Sequence, residues 1–334
     1  MSADSIVIAE VWRGEVLECV HRGTAVVCRP DGEIIAAWGN PSRTILPRSS
    51  CKMLQALPLV ESGTAKDFGL KDTHLALACA SHQGAEVHTS LAGSWLKDLG
   101  LGENSLRCGP QIPNDREARH ALRACGRDPD QTYNNCSGKH CGFLTRGKAL
   151  GAGSEYIESD HPVQVEIRQT MSELAGEDLR DFAIDGCSAP NFTMTMAGFA
   201  TSLARFARPS EALTGKRAAA VLRLRTAMAD HPVLVAGHGR ACTRLIEAMA
   251  NGSVVKTGAE GVFAGILPDQ GIGIAVKCDD GSQRGAEAAI AALLARFGVL
   301  GRDDPVYRSL ADTPILNRRG ITHGHLRAAE VLLS

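Results

Sequence analysis

Thr24-Ala25-Val26-Val27-Cys28-Arg29-Pro30-Asp31-Gly32-Glu33-Ile34-Ile35-Ala36 places two apolar, β-branched runs on either side of a Pro-Asp-Gly turn. That pattern reads as a β-hairpin. Ile6-Val7-Ile8-Ala9 supplies a strand before it. The far end of the chain repeats the pattern. Val254-Val255-Lys256, Val262 to Leu267 and Ile272 to Lys277 are strand candidates, the last two joined by Pro268-Asp269-Gln270-Gly271. Between the ends, helical periodicity marks His88 to Leu99, Arg116 to Cys125, Val163 to Leu174, and stretches near 195–206 and 216–229. Ala286 to Phe297 reads as the final helix. Leu75 to Ala80 is a buried apolar stretch, Leu179 to Ile184 a short strand, and 126–142 a polar loop rich in Gly and Asn. The Arg-rich tail, 301–324, has no assignable element. The expected fold class is α/β, of the α+β type. One antiparallel sheet is built from the N- and C-terminal strands, with helices packed on it. No composition break marks a linker. A single domain over 1–334 is therefore expected, with a helical subregion at about 50–250.

The 334 residues are 44% hydrophobic, enough for a large core, and the formal net charge is -1 with acids and bases intermixed. No basic stripe or charged tail points to a nucleic-acid partner. The first residues lack the basic and apolar regions of a signal peptide, and the longest apolar run, Ala288 to Leu300, is too short to cross a bilayer. The expectation is a cytoplasmic protein with no membrane partner. The 11 cysteines then read as mostly reduced thiols in the core.

Chemistry concentrates in a few short motifs. In Arg48-Ser49-Ser50-Cys51-Lys52, a helix over 50–62 would put Ser49 at its mouth and Lys52 one turn along the same face. A serine beside a lysine is a compact nucleophile and base. A free lysine titrates near ~10.4, and lowering it by about three units costs roughly 4 kcal/mol. Burial or a neighbouring cation supplies such a shift, and Arg48, Lys139 and Lys256 are candidate cations. The bland reading of the motif is an N-cap serine and a solvated lysine. Ser81, before His82-Gln83-Gly84, is either a second active hydroxyl or a cap. Lys256-Thr257-Gly258 reads as the end of an edge strand, where Gly258 leaves room for a substrate beside the backbone. Cys136, Cys141 and His140 in the polar loop, with Cys187 at a strand end, offer soft ligands but no standard zinc spacing. Asp185 is placed either to meet a substrate ammonium or to cap a turn.

Five motifs, in order, carry a resemblance. They are Pro47-Arg48-Ser49-Ser50-Cys51-Lys52, Ala80-Ser81-His82, Asn134 to His140, Asp185-Gly186-Cys187-Ser188-Ala189-Pro190, and Lys256 to Gly261. Together they resemble the rhizobial-type (class 3) L-asparaginases. The resemblance implies a glutaminase and serine β-lactamase-like fold, a homodimer, and hydrolysis of L-asparagine to L-aspartate and ammonia. It implies two Ser-Lys pairs, Ser49 with Lys52 and Ser81 with Lys256, as the catalytic residues of a single catalytic domain. It also implies one zinc ion held by Cys136, Lys139 and Cys187, with Arg48, His140 and Asp185 toward the substrate. Spacing alone favours His140 or Cys141 over Lys139 as the third ligand. The expected mechanism is an acyl-serine intermediate in which Ser49 attacks, Lys52 takes its proton and Ser81, polarised by Lys256, relays a proton to the departing ammonia. Sequence does not settle which serine is the nucleophile. Backbone N–H groups beside Ser49 or Ser81 are the expected oxyanion donors. Two other functions fit the same residues: a penicillin-recognising serine hydrolase, and a zinc- or amino-acid-binding protein without turnover.

Overall fold

The computed structural model describes residues 4–249 and 251–334. The chain divides into two compact units. The first comprises Met1–Ser50, Met194–Ala212 and Arg244–Ser334; the second comprises Cys51–Thr193 and Leu213–Thr243.

The first unit holds the antiparallel sheet expected from the two chain ends. Its strand order is Asp312–Leu316, Thr322–Ala328, Ile6–Arg13, Val16–Cys28, Ile272–Cys278, Val262–Leu267 and Val254–Gly258, with Ile34–Trp38 also paired to Val16–Cys28. The N-terminal hairpin turns as its sequence demands: Gly32 has a positive φ of 96°, and the Asp31 side chain accepts from the Glu33 N–H. One join between the two ends is the pairing of Val26 with Ala275 and its neighbours.

Both faces of this sheet are covered. Side chains alternate along a strand, so Gly273 and Ile274 point to opposite sides. On the Gly273 side lies the helix Met196–Ala207, close enough that a Cβ at Gly273 would stand 2.2 Å from the Ala200 oxygen. On the other side Gly265, paired with Ile274, faces Ile290 of the helix Gln283–Arg296. Cover on both sides explains why Val262–Leu267 is buried at every position.

Two sequence expectations fail here. The tail is not featureless: Pro305–Ala311 is a helix, and Asp312–Leu316 and Thr322–Ala328 are strands. Ala328 pairs opposite Ala9, so the last strands extend the sheet beyond the first. They mix polar residues with short apolar ones and are only partly buried, and they left little hydrophobic alternation to read. Gln283–Arg296 is accordingly not the final helix.

The second unit is largely helical. At its centre is the helix Lys52–Glu61, which runs on from a 3-10 turn at Arg48–Cys51. Around it pack Asp72–Ala78, Ser137–Ala149, Pro162–Ala175 and Gly215–Asp230. Pro162 opens its helix as expected, with the His161 ring accepting from the Val163 N–H. The other failed expectation lies in this unit. Residues 126–142 are not all loop, because Ser137–Ala149 is a helix. Gly138 and Gly142 read as helix breakers, yet Gly138 is where the helix meets its neighbour. A Cβ there would stand 2.2 Å from the Leu77 oxygen. Among the described residues no helix is long and apolar enough to cross a membrane.

A paired substitution tests this contact. Gly138→Ala is expected to destabilise the fold by about 1–3 kcal/mol, the range for overpacking. Gly93→Ala lies inside the helix Glu86–Asp98 with nothing within 4 Å of the new methyl. It is expected to stabilise by roughly 0.5–1 kcal/mol. Urea denaturation measures both; a neutral Gly138→Ala would contradict the packing described.

Candidate active site

The helix Asp72–Ala78 ends in an extended segment, Ala80-Ser81-His82, that is fixed from both sides. The Ser81 N–H donates to the Val235 oxygen at 2.9 Å and the His82 N–H to the Asn135 oxygen at 3.2 Å. Against this segment lies Lys52, the first residue of its helix and only 1% exposed. The solvated lysine of the bland reading is therefore absent. Its Nζ donates to the Ala80 carbonyl and lies 3.2 Å from Ser81 Oγ, 3.4 Å from the Asn135 oxygen and 3.0 Å from Cys136 Sγ. Carbonyl oxygens only accept, so they fix where amine hydrogens point. A neutral amine has two hydrogens for such acceptors and one lone pair, which suits the Ser81 hydroxyl. Within the second unit, the serine that Lys52 touches is Ser81.

Cys136, Lys139 and Cys187 come together beside this pair. Lys139 Nζ is 3.0 Å from Cys187 Sγ, and all three side chains are buried. A hydrogen bond from the Cys136 thiol, with the Lys139 charge, holds Cys187 well below the usual thiol range against the effect of burial. That same bond, with burial, pushes the Cys136 thiol up to about 12. Burial works against the Lys139 ammonium, but the Cys187 and Cys136 sulfurs outweigh it and its affinity for the proton rises. The cluster thus favours charge on Cys187 and Lys139, with Cys136 beside them as the group that is harder to ionise. Two sulfurs and one nitrogen converging in a buried place fit a zinc ion. The ion would have to displace the protons of Cys136 and Lys139. Cys141, one of the two ligands that spacing favoured beside His140, points elsewhere: its thiol faces the Ala92 oxygen at 3.9 Å.

His140 is wholly buried, and burial keeps its ring from charging. Its Nδ1 lies 3.0 Å from Tyr156 Oη. Asp185 accepts from the Gly186 N–H at 2.7 Å. His82 is buried and held neutral by desolvation; its Nδ1 accepts from the Gly84 N–H and its Nε2 donates to Ser137.

In the first unit, Ser49 and Arg48 lie in the 3-10 turn, both part-buried. Lys256, on the edge strand Val254–Gly258 as expected, is 0% exposed and donates to the Thr257 oxygen at 2.7 Å. Gly258 does leave room for something to approach, but the occupant is the chain itself. A Cβ there would stand 2.8 Å from the Pro47 oxygen and 3.1 Å from the Ser50 nitrogen.

Three of the N–H groups near the two serines have backbone partners. The N–H groups of Ser81 and His82 are taken, and that of Ser50 donates to the Pro47 oxygen. Sequence reasoning missed Asn135 and the Ala80 carbonyl, whose backbone oxygens leave no side-chain signal. Tyr156, one of three tyrosines in the chain, was missed too.

A second set of metal-type donors, His21, Cys278 and Asp280, sits in the first unit. Arg284 Nε donates to His21 Nε2 at 2.9 Å, so Nδ1 carries the ring proton and donates to Asp280 at 2.6 Å. Cys278 donates to the same carboxylate. A guanidinium on the ring and a fully used carboxylate make this a hydrogen-bond network that seats the helix Gln283–Arg296.

Among solved structures the chain is similar to Mglu, with 17% identity, 84% of this chain and 68% of that chain covered, and a TM-score of 0.47. It is similar to Mglu in its L-glutamate binding form, with 16% identity, 85% and 61% covered, and a TM-score of 0.48. A β-lactamase from Mycobacterium bovis gives 15% identity, 82% and 94% covered, and a TM-score of 0.43. No curated protein matches the chain. The family model for L-asparaginase II matches residues 9–328, nearly the whole chain, and the protein belongs to that amide-hydrolysing family.

Proposed function

We propose that the protein hydrolyses the side-chain amide of L-asparagine to L-aspartate and ammonia through serine–lysine catalysis. Family membership supports the reaction class. The single observation that supports the chemistry is the buried Lys52 amine at 3.2 Å from the Ser81 hydroxyl. A serine oxygen attacks the amide carbon and gives up its proton as the bond forms. Lys52 receives that proton, directly from Ser81 or by way of it. The same proton then goes to the departing nitrogen, so ammonia leaves neutral and an acyl-serine remains. Water cleaves the ester and frees aspartate. Ser49 and Lys256 complete the catalytic set that the resemblance implies, and Arg48, His140 and Asp185 its substrate contacts.

Cys136, Lys139 and Cys187 would hold a zinc ion. When bound it supplies fixed positive charge beside the substrate. The chain's own contribution is to keep the three donors buried and converged. Zinc analysis of the wild type is expected to show one ion per chain, lost in Cys136→Ala. Stoichiometric zinc in that variant would discard this ligand set.

Lys52→Ala is expected to lower kcat by about two orders of magnitude or more, with a much smaller change in KM. An unchanged kcat would remove Lys52 from the chemistry. Mass spectrometry of enzyme trapped with a slow acyl substrate is expected to place the adduct on Ser49 or Ser81. An adduct on a cysteine, or none, would contradict serine catalysis.

A further inference from the structure

The buried ring of His140 has one nitrogen accounted for and one not. Nδ1 lies 3.0 Å from Tyr156 Oη. The same phenol oxygen accepts the Arg107 backbone N–H at 2.7 Å. Tyr156 is itself only 1% exposed. A backbone N–H can only donate, so it uses an acceptor position of the phenol and leaves the phenol's own hydrogen to be placed. Donated to His140 Nδ1, it satisfies both groups. Were Nδ1 the protonated nitrogen, the phenol hydrogen would lose this acceptor and Nε2 would become a buried acceptor without a partner. Both arrangements make two hydrogen bonds at the phenol oxygen and leave Nε2 without a partner, but only the first also uses the phenol hydrogen, and a buried donor left without a bond is costly. The first puts the ring hydrogen on Nε2, which has no partner within the chain among the described residues.

We infer that Tyr156 is a positioning residue: it fixes His140 with its ring hydrogen on Nε2, so that the site presents this N–H as a donor to an acceptor oxygen of the amino-acid substrate. This rests on the amide-hydrolase reading for the identity of the ligand, though not for the tautomer. The chain Arg107 N–H, Tyr156 Oη, His140 Nδ1 is a relay of orientation. It starts at a backbone group that cannot reverse its direction and ends at an uncommitted N–H. A carboxylate or carboxamide oxygen suits that N–H; an ammonium group does not. The ring is also gripped sideways, edge-on to Tyr156 at a centroid distance of 5.4 Å and against Phe143 at 5.7 Å.

The experiment is nitrogen NMR on the full chain labelled with 15N-histidine, with the His140 signals identified by their loss in His140→Gln. Wild type is expected to show the proton on Nε2 alone. Tyr156→Phe is expected to shift population toward Nδ1–H, and to raise KM for asparagine about tenfold with kcat little changed. Wild-type His140 protonated on Nδ1 would overturn the inference, and this reading needs no variant to fold. Pure Nε2–H in Tyr156→Phe, or a KM equal to wild type, would overturn the role of Tyr156. Should the wild type release no ammonia from asparagine, the functional reading fails while the tautomer measurement still decides the inference.

Discussion

A lysine amine buried against backbone carbonyls is the constraint on which the rest of the site turns. Lys52 opens a helix at the end of a 3-10 turn. It is also shut off from water, which an ammonium tolerates only with hydrogen-bond partners. The fold answers with the Ala80 and Asn135 oxygens, the Ser81 hydroxyl and the Cys136 sulfur. Each lies in a segment that other contacts hold in place. Val235 holds the Ser81 N–H, and Asn134 Oδ1 takes the Cys136 N–H at 2.9 Å. The same amine therefore touches the hydroxyl that would react and a sulfur that would hold metal. That shared contact ties the two parts of the proposed chemistry together.

Local backbone strain gathers around the same motifs. Arg48, Ser188 and Glu260 are the non-glycine residues with positive φ among those described, at 52°, 68° and 58°. One precedes Ser49, one follows Cys187, and one lies in the turn after Lys256-Thr257-Gly258. Such conformations cost of order 1 kcal/mol each and persist where the surroundings over-determine them. In Ser188 the surroundings are visible: its N–H closes a turn onto the Asp185 oxygen at 2.8 Å.

The elements legible in the sequence were those whose own pattern dictates them. Pro30-Asp31-Gly32 and Pro268-Asp269-Gln270-Gly271 announce hairpins because few turns accept those residues. The Val-rich strands near the C-terminus are buried on both faces, so they read as unbroken apolar runs. Where tertiary contact decides, the sequence misled. Gly138 and Gly142 suggest a loop, yet a helix passes so close to Leu77 that only glycine fits. Thr322–Ala328 carries His, Arg and Thr and becomes a strand because Ile6–Arg13 offers it an edge. In the site, side-chain types were readable and pairings were not. Lys52 and Ser81 are far apart in sequence, and nothing local says that the amine turns toward Ser81. Tyr156 matters through a direction of donation that only the contact with the Arg107 backbone reveals.

The account's central claim is that Lys52 serves as a base and not as a fixed charge. Ammonia release from L-asparagine by Lys52→Arg, with its fold checked by circular dichroism, tests this most directly. Arginine keeps the positive charge but cannot take up a proton from a hydroxyl. The account predicts turnover in the wild type and its near-complete loss in Lys52→Arg. Comparable turnover in the two proteins would contradict it.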